Sequence, residues 1–216
     1  MKRTPLYNEH LGLQGKIVDF AGWELPVQYA SILEEHICCR TAAALFDVSH
    51  MGEISVKGRD AAAFLRSMIP TSLDRIEPYR CMYSCLCSGE GGVLDDFFVY
   101  MIGEEDFLLV VNAATIDKDF RWLTAHRQGD VDIENLSSFL SKIDLQGPVS
   151  KQILLQVFPD ERVESLERFS FLVSEYASRP IFISRTGYTG EAGYELYLDN
   201  ECAVRLWREL LSKGKD

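Results

Sequence analysis

The chain has 216 residues, of which 47% are hydrophobic and 25% charged, and its formal net charge is −11. This composition is typical of a globular protein with one large or two small domains, and the acidic balance argues against a nucleic-acid partner held through its phosphates. No apolar stretch approaches the roughly 18 residues of a membrane span, and the first residues lack the apolar core of a secretory signal, so we expect no membrane association and a cytoplasmic location.

Helix and strand patterns divide the chain into two rounds. The first helix begins at a capping box of Ser31 and Glu34 and is expected to include the alanine run 42–44. The first round then predicts, in chain order, a strand near 54–57, a helix near 60–68, strands at 81–87, 93–102 and 107–112, a helix at 116–126 and a strand near 131–135. This order is close to the split βαβ plan of ferredoxin-like sheets.

The second round follows the same plan. It predicts a strand near 140–145, a helix opened by Gly147 and Pro148, strands at 171–174, 180–184 and 194–198, and a helix at 201–211. The plan requires one more strand after that helix, so either the chain is a fragment or the strand comes from elsewhere. We therefore predict an α+β fold of two packed ferredoxin-like units with mostly antiparallel sheets.

Two adjacent aspartates, Asp95 and Asp96, interrupt the apolar strand at 93–102. Neighbouring side chains of a strand point to opposite faces, so one carboxylate is directed toward a packed face or a pocket. Placing it there costs several kcal/mol unless it is hydrogen-bonded or paired. Capping of the nearby turn is the commoner use of aspartate beside glycine, and a ligand-directed carboxylate is the alternative.

The cysteines at 81, 85 and 87 do not have the spacing of a metal site. Cys81, Cys85 and Cys87, with Tyr83 between them, share one face of a predicted strand, and no histidines follow at a useful distance. Small buried side chains are the favoured role there, so we predict no metal.

A loop at 185–195 has three glycines in seven residues, Gly187, Gly190 and Gly193, between two predicted strands. Such a loop lets the backbone approach a ligand, although a simple hairpin connection is commoner. It lacks the glycine spacings that cradle phosphates. Its tyrosines and glutamates supply flat apolar surface and acceptors, which suit a planar heterocycle with amine donors.

Several segments together resemble the T-protein of the glycine cleavage system, a folate-dependent aminomethyltransferase. They are TPL at 4–6, VDFAGWE at 18–24, LFDVSHMGE at 45–53, GGVLDD at 91–96 and SRTGYTGEAG at 184–193. Their order and spacing extend the resemblance over essentially the whole chain. It implies a discontinuous first folate-binding domain, residues 1–50 with 138–216, and a second ferredoxin-like domain, residues 51–137.

The resemblance also implies the chemistry. The family transfers a one-carbon unit from the aminomethyl-dihydrolipoyl arm of the H-protein to tetrahydrofolate and releases ammonia. By motif position, Asp96 is the carboxylate beside the reacting nitrogens of the pterin. The further residues implied to line the pocket are Met51, Tyr83, Asn112, Tyr188 and Glu195.

Other side chains are expected to have structural roles. Asp95 is predicted to face away from Asp96 and to pair structurally, and His50 is predicted to pack or to form a turn. Glu191 is a candidate to cap its loop, and His10 carries no signal.

The chain departs from the family pattern after residue 207. T-proteins continue through a segment with a folate-binding arginine into a β-barrel-like C-terminal domain, which is absent here. We therefore expect weak folate binding and poor turnover by this chain alone. The alternatives are related folate enzymes, such as demethylases or the folate domains of sarcosine and dimethylglycine dehydrogenases, and a non-catalytic folate-binding module of iron–sulfur assembly.

Overall fold

The computed structural model describes residues 1–215. The chain separates into two compact units, which we call unit 1 and unit 2. Unit 1 combines Met1–His50 with Phe139–Asp216, and unit 2 is Met51–Ser138. Because unit 2 is continuous in sequence, unit 1 begins before it and resumes after it.

The elements of unit 1 come from both ends of the chain. The first part contains α1 (Tyr7–Gly12), β1 (Ile17–Phe20), β2 (Trp23–Pro26), α2 (Ile32–Thr41) and β3 (Ala44–Asp47). Unit 2 contains β4 (Gly52–Lys57), α3 (Ala61–Met68), a 3₁₀ turn (Leu73–Arg75), β5 (Arg80–Cys87), β6 (Val93–Gly103), β7 (Asp106–Val111), α4 (Ile116–Ala125) and β8 (Asp132–Asn135). The second part of unit 1 contains β9 (Leu140–Gln146), α5 (Ser150–Val157), α6 (Glu161–Glu164), β10 (Phe171–Tyr176), β11 (Arg179–Ser184), β12 (Gly193–Asp199) and α7 (Asn200–Lys213).

Unit 1 is built on a five-stranded antiparallel sheet in the order β10-β11-β12-β9-β3. One face is apolar and forms a core with α5 and α7, in which Ile143, Leu196 and Trp207 are almost completely buried. On the opposite face lie the polar side chains of Lys142 and Glu195. Because side chains alternate along each strand, the sheet separates an apolar core face from a polar face.

The position of strand β3 shows that the prediction for the alanine run was wrong and identifies the strand that the second round lacked. The alanine run was expected to continue the first helix, but α2 ends at Thr41 and residues 44–47 form a strand paired with β9. The Ala42 carbonyl accepts a hydrogen bond from the Val149 N–H at 3.0 Å, and a Cβ on Gly147 would lie 2.5 Å from that oxygen. This long-range bond overrides the helix propensity of alanine. The missing strand of the second round therefore comes from before unit 2.

Unit 2 has a five-stranded antiparallel sheet in the order β5-β6-β7-β4-β8. Ile54, Val99 and Leu109 lie on the face that packs with α3 and α4 to form a second core. Strand β8 pairs with β4 as β3 pairs with β9 in unit 1. The predicted α+β class with antiparallel sheets is confirmed.

The sequence patterns predicted no helix or strand in the N-terminal segment that precedes Ser31. It forms α1 and the β1–β2 hairpin, in which Asp19 pairs with Glu24. The capping box before α2 is confirmed, since Ser31 Oγ accepts a hydrogen bond from the Glu34 N–H at 3.2 Å. Within residues 1–215, no helix combines the length and apolar character needed to cross a membrane.

Candidate functional site

Strand β6 directs its two aspartates to opposite faces of the unit 2 sheet. Asp95 is 8% exposed and pairs with Leu86 of β5, whereas Asp96 is exposed and pairs with Cys85. Leu86 belongs to the apolar core, so Asp95 lies on the helix side of the sheet. The expectation that the two carboxylates face different ways is confirmed.

Asp95 is bound by the segment that leads into α4. Thr115 Oγ1 donates a hydrogen bond to Asp95 Oδ2 at 2.6 Å, and Asn112 Nδ2 donates to Asp95 Oδ1 at 2.9 Å. These bonds offset the cost of burying a carboxylate. The structural role predicted for Asp95 is confirmed.

Asp96 lies on the other face, where two of the predicted site residues contact it. The Tyr83 hydroxyl donates a hydrogen bond to Asp96 Oδ2, and Asn112 Nδ2 donates to the main-chain oxygen of Asp96 at 2.9 Å. The Tyr83 ring packs edge-on against Phe98, with ring centroids 5.6 Å apart. Unit 2 thus presents an exposed carboxylate whose side chain and main chain are both held by hydrogen bonds.

Met51 lies at the same end of the sheet as Asn112. It directly precedes β4, whose first residue Gly52 pairs with Val111 at the end of β7, and Asn112 directly follows Val111. Met51 is 8% exposed. The structure therefore brings Tyr83 and Asn112 into contact with Asp96 and places Met51 at the end of the strand next to β7.

The polar face of the unit 1 sheet carries a fully buried ion pair. Lys142 of β9 and Glu195 of β12 are both 0% exposed, and Lys142 Nζ lies 2.8 Å from Glu195 Oε1. The other oxygen of Glu195 accepts hydrogen bonds from Thr186 Oγ1 at 2.6 Å and from the Tyr197 hydroxyl at 2.8 Å. The Glu195 carboxylate is therefore held at both of its oxygens.

Burial and charge act in opposite directions on this pair. Burial alone would raise the pKa of Glu195, but the ion pair with Lys142 holds that pKa below its usual range. Burial alone would lower the pKa of Lys142, but Glu195 and then Asp144 raise it above its usual value. Asp144 lies 4.0 Å from Lys142 Nζ, and burial raises its pKa well above the usual range. Lys142 and Glu195 are consequently both ionised at neutral pH.

Tyr188 lies close to the same lysine. Its side chain is 57% exposed, and Lys142 Nζ lies 5.2 Å from the centroid of its ring. An ammonium group over an aromatic face is attracted by the ring quadrupole. Lys142 thus connects Tyr188 and Glu195, the two unit 1 residues that the family resemblance implied as pterin contacts.

Lys142 was not among the site residues predicted from the sequence, although the sequence contains a signal for it. In β9, Lys142, Asp144 and Gln146 alternate with Ile143 and Leu145, which is the pattern of a strand with one polar face. That pattern could have marked Lys142 as a residue on the polar face.

Gln146 anchors the glycine-rich loop between β11 and β12. Its Nε2 donates a hydrogen bond to the Thr186 carbonyl at 3.2 Å. A Cβ on Gly187 would lie 2.1 Å from Gln146 Oε1, and one on Gly193 would lie 2.2 Å from the same atom. The two glycines therefore allow the loop to close on Gln146, which fixes the segment that carries Tyr188.

A cavity of about 850 Å³ lies in unit 1 beside this loop. Apolar side chains of the β1–β2 hairpin, α2 and β3 line it together with Tyr188 and Thr189. Small-molecule pockets of proteins are typically about 300–1,000 Å³. Tyr188 therefore borders both Lys142 and a space large enough for a small molecule.

His10, which carried no signal in the sequence, is fully buried and connects α1 to β3. Its Nε2 lies 2.8 Å from Asp47 Oδ2 and its Nδ1 lies 2.8 Å from the Tyr29 hydroxyl. Thr4 Oγ1 donates a hydrogen bond to the same oxygen of Asp47 at 2.5 Å. These long-range partners, which no local pattern indicates, attach the N-terminal segment to the unit 1 sheet.

His50 is a packing residue, as predicted. Its ring lies edge-on to Phe20 with centroids 5.4 Å apart. Burial lowers the pKa of His50, so its neutral form is favoured.

Two antiparallel sheets, each covered by helices on one face, define the fold class. The heterotetrameric sarcosine oxidase of Corynebacterium sp. U-96 shares this fold, with a TM-score of 0.64 at 15% identity over 99% of this chain and 94% of that one. At that identity the likeness concerns the fold alone.

Closer relatives define the family. The GCVT N-terminal domain model matches residues 6–216. An aminomethyltransferase of Bacillus velezensis is 45% identical over 216 residues, which are 100% of this chain and 59% of the relative. The crystal structure of glycine cleavage system aminomethyltransferase T from Bartonella henselae has a TM-score of 0.90 at 33% identity, over 98% of this chain and 58% of that one.

The chain belongs to the GCVT N-terminal domain family, and the resemblance to T-proteins read from its motifs is confirmed. The chain spans about 59% of the length of the curated relatives it matches.

Proposed function

We propose that this chain takes part in tetrahydrofolate-dependent aminomethyl transfer. The one-carbon unit comes from the aminomethyl-dihydrolipoyl arm of a lipoylated H-protein and passes to tetrahydrofolate with release of ammonia. The family membership supports this proposal, and so do the names of its relatives. The observation that carries it is the exposed Asp96 carboxylate, which Tyr83 and Asn112 hold in place.

The reaction requires little covalent chemistry from the protein. Two C–N bonds form between the transferred carbon and the N5 and N10 atoms of tetrahydrofolate, while the C–S and C–NH₂ bonds of the donor break. The two hydrogens displaced from the folate nitrogens leave with ammonia and the thiol. The protein therefore needs to position the two substrates and to stabilise positive charge on the transferred carbon.

Asp96 has the properties that this task requires. A carboxylate beside the reacting nitrogens orients them by accepting hydrogen bonds and stabilises the iminium-like carbon by its charge. Its hydrogen bond from Tyr83 fixes one oxygen and leaves the other available to a ligand. We assign Tyr83, Asn112 and Met51 to the wall beside it.

In unit 1 we assign Tyr188 and Glu195 to pterin binding, and unit 1 to the role of first folate-binding domain. The half-exposed Tyr188 ring offers a flat face for a heterocycle. Glu195 is an ionised acceptor, but its oxygens are already engaged by Lys142, Thr186 and Tyr197. Its contribution to binding is therefore expected to depend on Lys142.

The test measures tetrahydrofolate binding by calorimetry and by ¹H–¹⁵N NMR, together with methylene transfer from an aminomethylated H-protein. We expect weak binding by the chain, with resonance shifts centred on Asp96, Tyr83 and Asn112. In a T-protein that includes the C-terminal domain, Asp96→Asn is expected to lower the methylene-transfer rate by about 100-fold or more, as loss of an electrostatic contact to a developing charge does, and to change folate affinity less.

Glu90→Gln is the matched control, because Glu90 is an exposed carboxylate in the β5–β6 turn, near Asp96 in sequence. It should leave binding and rate unchanged. The proposal is wrong if tetrahydrofolate shifts no resonance near Asp96, or if Asp96→Asn and Glu90→Gln transfer methylene equally fast in a T-protein that includes the C-terminal domain.

A further inference from the structure

Asp119 is a buried carboxyl group that the proposed function does not use. It lies in the first turn of α4 and is 0% exposed. Among residues 1–215, neither of its carboxyl oxygens finds a hydrogen-bond donor. A buried carboxylate without a donor is costly, so the geometry favours the acid form of this side chain.

The partner for that acid is Asp95, the other buried carboxyl group at this end of α4. Thr115, which precedes the helix, donates to Asp95, and the Asp119 N–H donates to the Thr115 carbonyl at 2.9 Å. Two neighbouring buried carboxyl groups cannot both ionise at low cost. Asp95 already receives hydrogen bonds from Thr115 and Asn112, which stabilise its ionised form. When one of the two carboxyl groups is protonated and the other ionised, the proton is therefore on Asp119.

Burial and the charge of Asp95 both favour the acid form of Asp119. Burial raises the pKa of Asp119 to about 7, and the neighbouring Asp95 carboxylate adds to the effect. Two groups oppose it: the nearby Thr115 hydroxyl, whose hydrogen bond goes to Asp95 at 2.6 Å, and Lys118, whose Nζ lies 3.9 Å from Asp119 Oδ1 on a side chain that is 45% exposed. The lysine is only a partial counter-charge because water screens it.

Asp95 is connected to the proposed site at Asp96 through the side chain of Asn112. Asn112 Nδ2 donates both to Asp95 Oδ1 and to the main-chain oxygen of Asp96, each at 2.9 Å. The orientation of the Asn112 amide therefore depends on Asp95. A hydrogen bond from Asp119 to Asp95 would hold that carboxylate in the position that Asn112 requires.

We propose that Asp119 is a positioning residue, whose carboxylic acid donates a hydrogen bond to Asp95 and thereby fixes Asn112 and the main chain of Asp96. Its consequence for folate rests on the proposed function. Loss of the proton replaces the hydrogen bond with repulsion between two carboxylates, which frees the Asn112 amide to reorient. Asp119 thus couples the geometry at Asp96 to the pH of the solution.

The first test needs no folate. The side-chain amide resonances of Asn112 are followed by ¹H–¹⁵N NMR from about pH 5.5 to 8.5, across the range in which Asp119 titrates. The original chain should show a transition with its midpoint at about 7. Asp119→Asn keeps a hydrogen-bond donor and should hold the low-pH positions throughout. Asp119→Ala should lack those positions at every pH.

Asp117→Asn is the matched control, since Asp117 is an exposed aspartate in the same helical turn. It should titrate as the original chain does. The inference is overturned if Asp119→Ala leaves the Asn112 resonances unchanged, or if Asp119→Asn behaves like Asp119→Ala. The asparagine rescue separates a role in donating a hydrogen bond from a role in filling space.

A second measurement tests whether the protonation of Asp119 affects folate binding. Tetrahydrofolate affinity of the original chain should fall as the pH rises through 7, and that of Asp119→Asn should stay constant. An equal fall in both chains would overturn the positioning role. If the original chain binds no tetrahydrofolate at any pH, the proposed function fails, and the Asn112 titration still decides whether Asp119 positions that amide.

Discussion

Replacement of Lys142 by methionine tests the buried ion pair of unit 1. Methionine fills a similar volume but leaves the Glu195 carboxylate buried without its counter-charge. At 2.8 Å and an effective dielectric constant of about 20, the Coulomb attraction lost is about 6 kcal/mol. Part of it is offset because the desolvated ammonium group is removed as well.

Removal of one partner from a buried ion pair typically costs about 3–5 kcal/mol. Glu195 retains its hydrogen bonds from Thr186 and Tyr197, so we expect the lower half of that range for Lys142→Met. Combining Lys142→Met with Glu195→Gln removes both charges, and this double variant should be more stable than Lys142→Met alone.

The assay is urea unfolding followed by tryptophan fluorescence in a Trp122→Phe background. The two remaining tryptophans, Trp23 and Trp207, both lie in unit 1, so the signal reports on that unit alone.

The control is Arg40→Met, which breaks a half-exposed ion pair with Glu191. The free energy of unfolding of this variant should fall by less than about 1 kcal/mol. Equal losses for Lys142→Met and Arg40→Met would refute the buried pair as described.

Three further changes have expected outcomes in unit 2. Gly52→Ala should lower the free energy of unfolding by about 1–3 kcal/mol, because its Cβ would lie 2.5 Å from an α4 side-chain carbon, whereas Gly103→Ala, with nothing within 4 Å, should be neutral in urea unfolding. Thr115→Val should cost about 1–3 kcal/mol by removing a donor from buried Asp95, with no loss if that bond is absent. Because the pKa of Asp119 is raised to about 7, the proton bound to Asp119 stabilises the folded chain fully below about pH 4, and this stabilisation is lost as the pH rises toward 7. The free energy of unfolding of Asp119→Asn, measured in urea, should therefore change less between about pH 4 and 7 than that of the original chain.

Local patterns in the sequence predicted most of the regular elements. The capping box before α2 and the alternation within β6 are signals within a few residues, and both were interpreted correctly. Strand β3 was missed because its alanines favour helix in isolation, and only the pairing with β9 selects the extended form. Element type is predictable where local and long-range preferences agree.

The candidate site was likewise predictable only in part. The alternation of side chains along a strand predicted that Asp95 and Asp96 face opposite sides of the sheet, and the motif resemblance supplied the other candidate residues. The contact between Lys142 and Glu195 could not be predicted, since it depends on the register between β9 and β12. The partners of His10 likewise come from segments that only the folded chain brings together.

The place of β3 at the edge of the unit 1 sheet has a consequence for the order of folding. Strand β3 emerges from the ribosome long before its partner β9, whereas every strand of unit 2 finds its partners within one continuous segment. Pairing of β4 with β8 brings the two ends of unit 2 together, since the Leu136 N–H donates to the Glu53 carbonyl at 2.8 Å. A folded unit 2 therefore shortens the effective loop between β3 and β9 and lowers the entropy cost of closing it. The inserted unit thus assists the folding of the sheet that it interrupts.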